Sequence, residues 1–506
     1  MLPHRLLLAL LGGVALFLAF PATDAWPLAV VGCGALTLAT AGARVSTGLV
    51  CGFLTGIAWF APMFTWAGTY AGVMPWVAMS VASALYPAAL GGLSAWLQRG
   101  GAVRPEVVAA AWVLMEYARS VTPFGGFPWA RLGFSQADSP MLGLVRWLGM
   151  PGLGLAVALA GALLALAAQR SLEPGRTDLP RAGAAALAAL ALVLAPALVP
   201  RPTDGETVTV AAVQGDVPEG FTRTLTAEPG TMLRPYTEMT TDLASEVEAG
   251  AAAYPDLVLW PEGASDMDPL RPDGSPEATR RIMGAVDAID APVVLGATSR
   301  RGGEAPHNMA LSYLPGTGLD QTYTKVYLAP FGEKMPLRPL MRHLSPWVDR
   351  ITDFEAGTEP GVMPVPLRDG RTVTLGLGIC FEVVVDPAMR DVVLGGADLL
   401  AVPTSNAWFG EGDQSAQHIA ASRVRAVELG RSVVHISNVG ISGLITPDGV
   451  VHEESELFTS ALLLDEVPLR TEITPAVHLS PWVPGIAAVV VGLALVLPGG
   501  RRGRAG

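Results

Sequence analysis

The sequence predicts a two-part protein: a polytopic α-helical membrane unit of about eight spans, and one α/β unit whose sheets are covered by helices. Three observations lead there. Over 506 residues the chain is 51% hydrophobic, only 15% charged, and has a mean hydropathy of +0.42. The apolar excess is concentrated in 1–200 and 483–499, whereas most Asp and Glu residues fall between 201 and 482. Within that acidic stretch, short apolar runs alternate with helical patterns. The expected organisation is a transmembrane unit at 1–200 with seven spans, a soluble unit at 201–482, and an eighth span with a basic tail at 483–506.

A bilayer core of about 30 Å takes roughly 20 apolar residues per helix. Candidate spans fall at about 5–22, 25–42, 47–67, 74–97, 105–120, 147–168, 183–200 and 483–499. The fifth carries Glu116 and Arg119, which at i, i+3 are placed to neutralise each other. His4 and Arg5 precede an apolar run in the manner of a secretory signal. No small-residue cleavage site stands out and more spans follow at once, so the segment is read as retained. With eight spans, Arg5, Arg44, Arg99, Arg104, Arg170, Arg176, Arg181, Arg501, Arg502 and Arg504 all fall on one side. The positive-inside rule makes that side cytoplasmic and sends 201–482 outward.

In the acidic stretch, strands are expected at Thr207–Val213, Asp256–Trp260, Pro292–Leu295, Asn308–Leu314, Thr372–Ile379, Leu399–Pro403, Ser432–Ser437, Gly443–Thr446 and Ala461–Leu464. Helices are expected near 235–252, 276–290 and 415–430. Pro447, Asp448 and Gly449 supply a hairpin turn, which makes the sheets mixed. The sequence has no glycine-rich phosphate loop, no basic stripe for nucleic acid and no metal-ligand cluster, so neither cofactor nor metal is expected.

Of the three cysteines, Cys33 and Cys51 lie in apolar spans, so no disulfide framework is expected. Cys380 ends the apolar run Thr374–Ile379 where a strand gives way to a polar turn. A thiol presented there reads as a nucleophile, although a small buried hydrophobe is the plain alternative. Glu262 follows the strand DLVLW, at the kind of strand end where layered sheets place their sites, and is a candidate base for the thiol proton. Taken alone it also fits a solvated loop residue or a cap. Lys325, in the strand-like TYTKVYL, supplies an ammonium that would favour thiolate and oxyanion, helped by a backbone N–H near Phe381. Its plain alternative is a surface lysine paired with Glu333 across the turn.

These pieces together closely resemble the apolipoprotein N-acyltransferase family, the membrane-embedded branch of the nitrilase superfamily. The resemblance extends over essentially the whole chain. It rests on VQGDVP at 213–218, LWPEG at 259–263, His307-Asn308, the run from Lys325 through PFGE to Pro336, and GICFE at 378–382. SNAWFG at 405–410, the QH to ELGR run at 417–431, Trp112 with Glu116 and Arg119, and GFPW to GFSQ at 126–136 continue it. Phe381, Gly263 and Tyr327 stand where the family usually has Tyr, Thr or Ser, and often His, and the SNDAWFG motif lacks its Asp.

The resemblance implies a nitrilase-like αββα sandwich beside the membrane helices, with Glu262 as general base, Lys325 as oxyanion and positioning residue, and Cys380 as nucleophile. It also implies supporting roles for Glu333, Glu382, Asn308 and Phe381, and a substrate entrance lined by Trp408, Phe409 and Trp129. The implied reaction moves an acyl chain from a membrane phospholipid, through a Cys thioester, to the N-terminal amine of a diacylglyceryl-cysteine apolipoprotein. The implied place is the bacterial inner membrane, with the catalytic unit on its outer side and the chain a monomer. A membrane-tethered nitrilase-like amidase that hydrolyses its thioester is the alternative enzyme, and a non-catalytic receptor or scaffold the alternative from another class. The loop Phe124, Phe127, Trp129 and Phe134 suits an interfacial position beside an acyl chain or an aromatic anchor at the headgroups. Arg131 is placed there to meet phosphate.

Overall fold

Helices occupy all eight positions at which the sequence places a span: α1 (Leu2–Leu18), α2 (Pro27–Thr40), α3 (Val45–Met63), α4 (Val73–Leu97), α5 (Pro105–Val121), α6 (Val145–Leu172), α7 (Leu179–Leu194) and the C-terminal helix Val483–Val496. The computed structural model describes residues 2–70, 72–172, 178–217, 228–271, 276–301, 303, 305–343, 348–349 and 351–497. Arg176, Arg501, Arg502 and Arg504 of the expected basic side, and Pro218 of VQGDVP, lie outside the described residues. Among the described residues, five helical stretches are long and apolar enough to cross a membrane: Val45–Met63, Val73–Leu97, Pro140–Leu172, Leu179–Leu198 and Pro475–Val496. The first two helices are apolar but shorter, at 17 and 14 residues.

The chain divides into a helical unit, 1–200 with 474–506, and a second unit, Arg201–Ile473. The helical unit resumes at 474 because Pro475–Leu479 and the turn Ser480–Trp482 run directly into the last span. Its helices meet through small residues, as expected where lipid supplies no hydrophobic drive for association. A Cβ on Gly52 would lie 2.0 Å from the Pro87 carbonyl oxygen, so α3 and α4 touch backbone to backbone there. In α5, Arg119 donates to the Phe127 carbonyl at 2.8 Å and lies over the Phe60 ring, while Glu116 accepts from the Leu132 N–H at 2.6 Å. Both polar side chains thus tie the helix to the loop that follows it.

The second unit holds two six-stranded sheets. One has the order β12-β1-β2-β3-β4-β5 and the other β11-β10-β9-β8-β7-β6. In sequence these strands are β1 (Thr207–Gln214), β2 (Leu257–Leu259), β3 (Val293–Ser299), β4 (His307–Leu314), β5 (Gly318–Thr324), β6 (Val362–Pro366), β7 (Thr372–Leu377), β8 (Leu399–Thr404), β9 (Ser432–Ser437), β10 (Gly443–Ile445), β11 (Val451–Glu454) and β12 (Ala461–Pro468). The centres are parallel, β1-β2-β3 and β7-β8-β9, and the edges antiparallel. One buried cluster joins residues of both sheets, among them Val210, Leu259, Leu375, Ala401 and Ile436, so the sheets pack face to face. A second cluster lays helices Leu233–Glu248 and Pro276–Ile289 on the outer face of the first sheet. Strand β8 is buried at every residue, as a central parallel strand with both faces covered must be.

The expected strands are present, and the Pro447–Gly449 turn joins β10 to β11. The structure adds β5, β6, β11 and the helix Asp386–Leu394, none of which was among the expected elements. Lys325 lies just beyond β5 rather than within a strand.

The helix Gln414–Leu429 ends at Gly430 in the left-handed region, φ 63°. It buries Arg425, 1% exposed, whose guanidinium meets Glu428 and Asp386 while Nε donates to the Val383 carbonyl at 2.7 Å. That last bond fixes the turn Cys380–Val384. Replacing Arg425 by Leu strands Glu428 without its cation, a loss of about 3 kcal/mol or more. The expected outcome is a clearly lowered thermal midpoint for the Arg425→Leu protein in detergent, followed by tryptophan fluorescence.

Candidate active site

Four strand ends converge on one polar cluster. Glu262 follows β2, Asn308 sits at the start of β4, Lys325 follows β5, and Cys380 follows β7. The strand-end position lets each side chain leave the packed core while its backbone stays anchored in a ladder. Glu262 passes close under β3: a Cβ on Gly296 would lie 2.5 Å from the Glu262 Cα, so only glycine fits.

Lys325 is 1% exposed, and a buried ammonium requires compensation. It lies 2.9 Å from the Glu333 carboxylate and 3.5 Å from Glu262 Oε1. The pairing across the turn with Glu333 is therefore real, but it is buried rather than at the surface. Asn308 completes the group with one amide nitrogen whose two hydrogens go to the two carboxylates, at 2.6 Å to Glu262 and 2.7 Å to Glu333. The second oxygens are also held, Glu262 Oε2 by the Ser405 N–H at 2.8 Å and Glu333 Oε2 by the Ala329 N–H at 2.8 Å.

The titration behaviour follows from this packing. Desolvation pulls Lys325 down, but Glu333 and Glu262 outweigh it and hold the ammonium above its ordinary range. Burial pushes Glu333 up, yet Lys325 and the Ala329 N–H more than offset that and leave it below the usual carboxylate value. Burial and then the Glu262 charge push the Cys380 thiol up to about 12, against the opposing pull of Lys325 and the Thr404 side chain.

Cys380 has φ 52°, a left-handed conformation uncommon for a residue with a side chain. Glu382, two residues on, is fully buried and accepts from the N–H groups of Ile379 at 2.8 Å, Val326 at 2.9 Å and Tyr327 at 3.0 Å, and from the Tyr323 hydroxyl at 2.8 Å. Burial raises its carboxyl, opposed by Lys325 and these donors. It stitches the cysteine turn to the lysine loop. Phe381 is buried beside it.

Trp408 is 43% exposed on the turn Ala407–Phe409, directly after Ser405 and Asn406, with Phe409 half-buried next to it. Trp129 belongs to the helical unit, where it is buried and packs against Trp66 and Phe127 at 5.9 and 6.4 Å between ring centroids. Of the loop aromatics, Phe124 is exposed and Phe134 buried, and Arg131 is buried rather than open to a headgroup. Among the described residues no group of His, Cys, Asp or Glu is arranged to hold a metal ion.

The sequence reading left Ser405, Thr404, Tyr323 and His418 without roles. Ser405 and His418 lay within recognised runs, but their contacts depend on a register between distant strands that no local pattern reveals. At neutral pH the elevated thiol predicts slow alkylation of Cys380 by iodoacetamide. The rate should climb about tenfold per pH unit well past the point where an ordinary thiol, of pKa about 8.5, levels off. Glu262→Gln removes a charge that disfavours thiolate, so it should move this rise to lower pH, read by site-resolved mass spectrometry.

The model of the apolipoprotein N-acyltransferase N-terminal domain matches residues 12–163, and that of carbon-nitrogen hydrolases matches 209–473. The apolipoprotein N-acyltransferase of Mycolicibacterium smegmatis is 36% identical over 96% of this chain and 83% of its own length. Those of Geobacter metallireducens and Azotobacter vinelandii are each 30% identical, over 92% and 97% of this chain and 90% and 94% of their own lengths. Among solved structures, an amidase from Nesterenkonia sp. AN1 in complex with acrylamide aligns with 54% of this chain and 93% of its own, at 20% identity and a TM-score of 0.39.

Proposed function

Because the chain belongs to the apolipoprotein N-acyltransferase family, we infer that it transfers an acyl chain from a membrane phospholipid to the N-terminal amine of a diacylglyceryl-cysteine apolipoprotein. The observation that carries the assignment of roles is the buried Glu262, Asn308, Lys325 and Glu333 cluster, electrostatically coupled to Cys380.

In the first half-reaction Glu262 takes the thiol proton as the Cys380 sulfur attacks the ester carbonyl of the phospholipid. The Lys325 ammonium and a backbone N–H near Phe381 stabilise the tetrahedral oxyanion. Collapse breaks the ester C–O bond, Glu262 returns the proton to the departing lysophospholipid oxygen, and the acyl chain remains on sulfur. In the second half the lipoprotein amine attacks the thioester, Glu262 accepts a proton from nitrogen, and the C–S bond breaks. That proton then restores the thiol. Glu333 and Asn308 hold Lys325 and Glu262 in place, and Glu382 holds the cysteine turn against the lysine loop. Trp408 and Phe409 offer apolar surface at the entrance of the catalytic unit.

The helical unit is part of the chemistry. At about 0.8 kcal/mol per buried CH2, drawing a chain of about fifteen methylenes into water would cost roughly 12 kcal/mol. An enzyme that meets its donor in the bilayer avoids that cost. We assign eight spans, the five of full length together with α1, α2 and α5, and membership of the family supports the bacterial inner membrane as their place. The basic residues then put the catalytic unit, 201–482 in the sequence division, on the outer side, and a monomer suffices for the site. Trp129, enclosed by Trp66 and Phe127, contributes to the aromatic lining of the helical unit.

Incubation of the purified protein with phospholipid should give a hydroxylamine-labile acyl adduct on Cys380, seen by intact mass, that moves to the α-amine of an added diacylated lipopeptide. Release of fatty acid with no peptide product would instead favour the amidase-like hydrolase, and the absence of any adduct would sink the thioester route. Cys380→Ala should abolish the adduct, and Lys325→Ala should slow its formation by about a hundredfold or more. Glu262→Gln should lose about 10²–10⁴ in rate although its thiol is the more acidic one.

A further inference from the structure

The buried imidazole of His418 has no part in the chemistry above, yet it touches the nucleophile's own residue. On the helix Gln414–Leu429 and wholly buried, it places Nε2 3.1 Å from the Cys380 carbonyl oxygen. A carbonyl only accepts, so Nε2 carries the proton and Nδ1 is left as an acceptor with one lone pair. Two donors face that lone pair, the Thr404 hydroxyl at 3.2 Å and Asn406 Nδ2 at 3.4 Å.

The surrounding hydrogen bonds decide between them. Asn406 is oriented by Ser437, whose hydroxyl donates to Asn406 Oδ1 at 2.6 Å and accepts from the Gly440 N–H at 2.8 Å. One hydrogen of Asn406 Nδ2 goes to Gln414 Oε1, and the other is directed at His418 Nδ1.

We propose that His418 is a positioning residue for the nucleophile: its Nε2–H holds the Cys380 carbonyl and so fixes the left-handed turn that aims the thiol, while its Nδ1, occupied by Asn406, keeps the ring in the tautomer that can donate there. The left-handed backbone at Cys380 needs such a hold, because an L-residue there relaxes unless its surroundings over-determine it. Of the titratable groups facing the imidazole, His435 meets it edge-on at 4.9 Å, and the Lys325 charge acts on it from beyond Cys380. Burial, and then the Lys325 charge, outweigh the Cys380 carbonyl that favours a cation and lower His418 to about 4, so it stays neutral throughout the working range.

The inference rests on Cys380 being the nucleophile, and it is tested on the full chain in detergent micelles containing phospholipid. His418→Leu removes the donor to the carbonyl, whereas His418→Gln places an amide N–H where Nε2 stood. The leucine protein is expected to lose about a hundredfold in kcat with KM little changed, and the glutamine protein to recover to within about tenfold of the parent. Parental kcat in a folded His418→Leu protein, or a glutamine protein as poor as the leucine one, would each overturn the proposal. If His418→Leu does not fold, His418→Asn, too short to reach the carbonyl, takes its place in the comparison. Failure of the underlying reading looks different: Cys380→Ala would then keep its transferase activity.

Discussion

The Lys325 ammonium, withdrawn almost wholly from water, is the constraint on which the site depends. A cation there is tolerable only if anions and dipoles replace its hydration, and Glu333, Glu262 and Asn308 do so. Each compensating group comes from a different segment, so the requirement reaches back into the fold: the ends of β2, β4 and β5 must arrive in register. Two carboxylates around one ammonium leave an excess negative charge, and the amide hydrogens of Asn308 are what allow the carboxylates to stand so close. Arg425 shows the same rule without chemistry, since its buried guanidinium meets Glu428 and Asp386 and anchors the turn Cys380–Val384.

Much of this architecture was legible in the chain because it follows from periodicity. The buried runs Val210–Val213, Leu257–Trp260 and Leu399–Val402 lie in central parallel strands, and such strands are apolar on both faces. What the pattern concealed lies at the edges. Strand β6 carries Pro364 and Pro366, tolerable because it pairs on one side only, and β11 reads Val-His-Glu-Glu, almost all polar. The short helix Asp386–Leu394 offers too few turns for a helical period to stand out.

The site divides along a similar line. Glu262, Lys325 and Cys380 stood out because each is a reactive side chain in an otherwise apolar or strand-like setting. Asn308 and Glu382 came through resemblance alone. The Ser405 N–H on Glu262 is a backbone donor, invisible in a sequence by nature, and Thr404 and His418 gain meaning only from the packing of helix Gln414–Leu429 near the cysteine turn. The helical unit tells the same story, since the small residues of α3 could be read as composition, but their contact with the Pro87 carbonyl could not.

The raised thiol and its proposed base are two aspects of one charge. The Glu262 carboxylate charge opposes a second anion on sulfur and is, after burial, among the causes that lift Cys380. When the proton moves from sulfur to Glu262 the opposition vanishes with the carboxylate charge. The total charge is the same before and after, and the anion merely changes atoms within reach of the same ammonium. Transfer to this carboxylate thus removes the second cause of the raised thiol, while burial, the first, remains and is opposed by Lys325. In the proposed cycle, reversal of the transfer supplies a proton to the leaving oxygen without drawing on water, so that one carboxylate beside one buried ammonium would serve both halves of an acyl exchange.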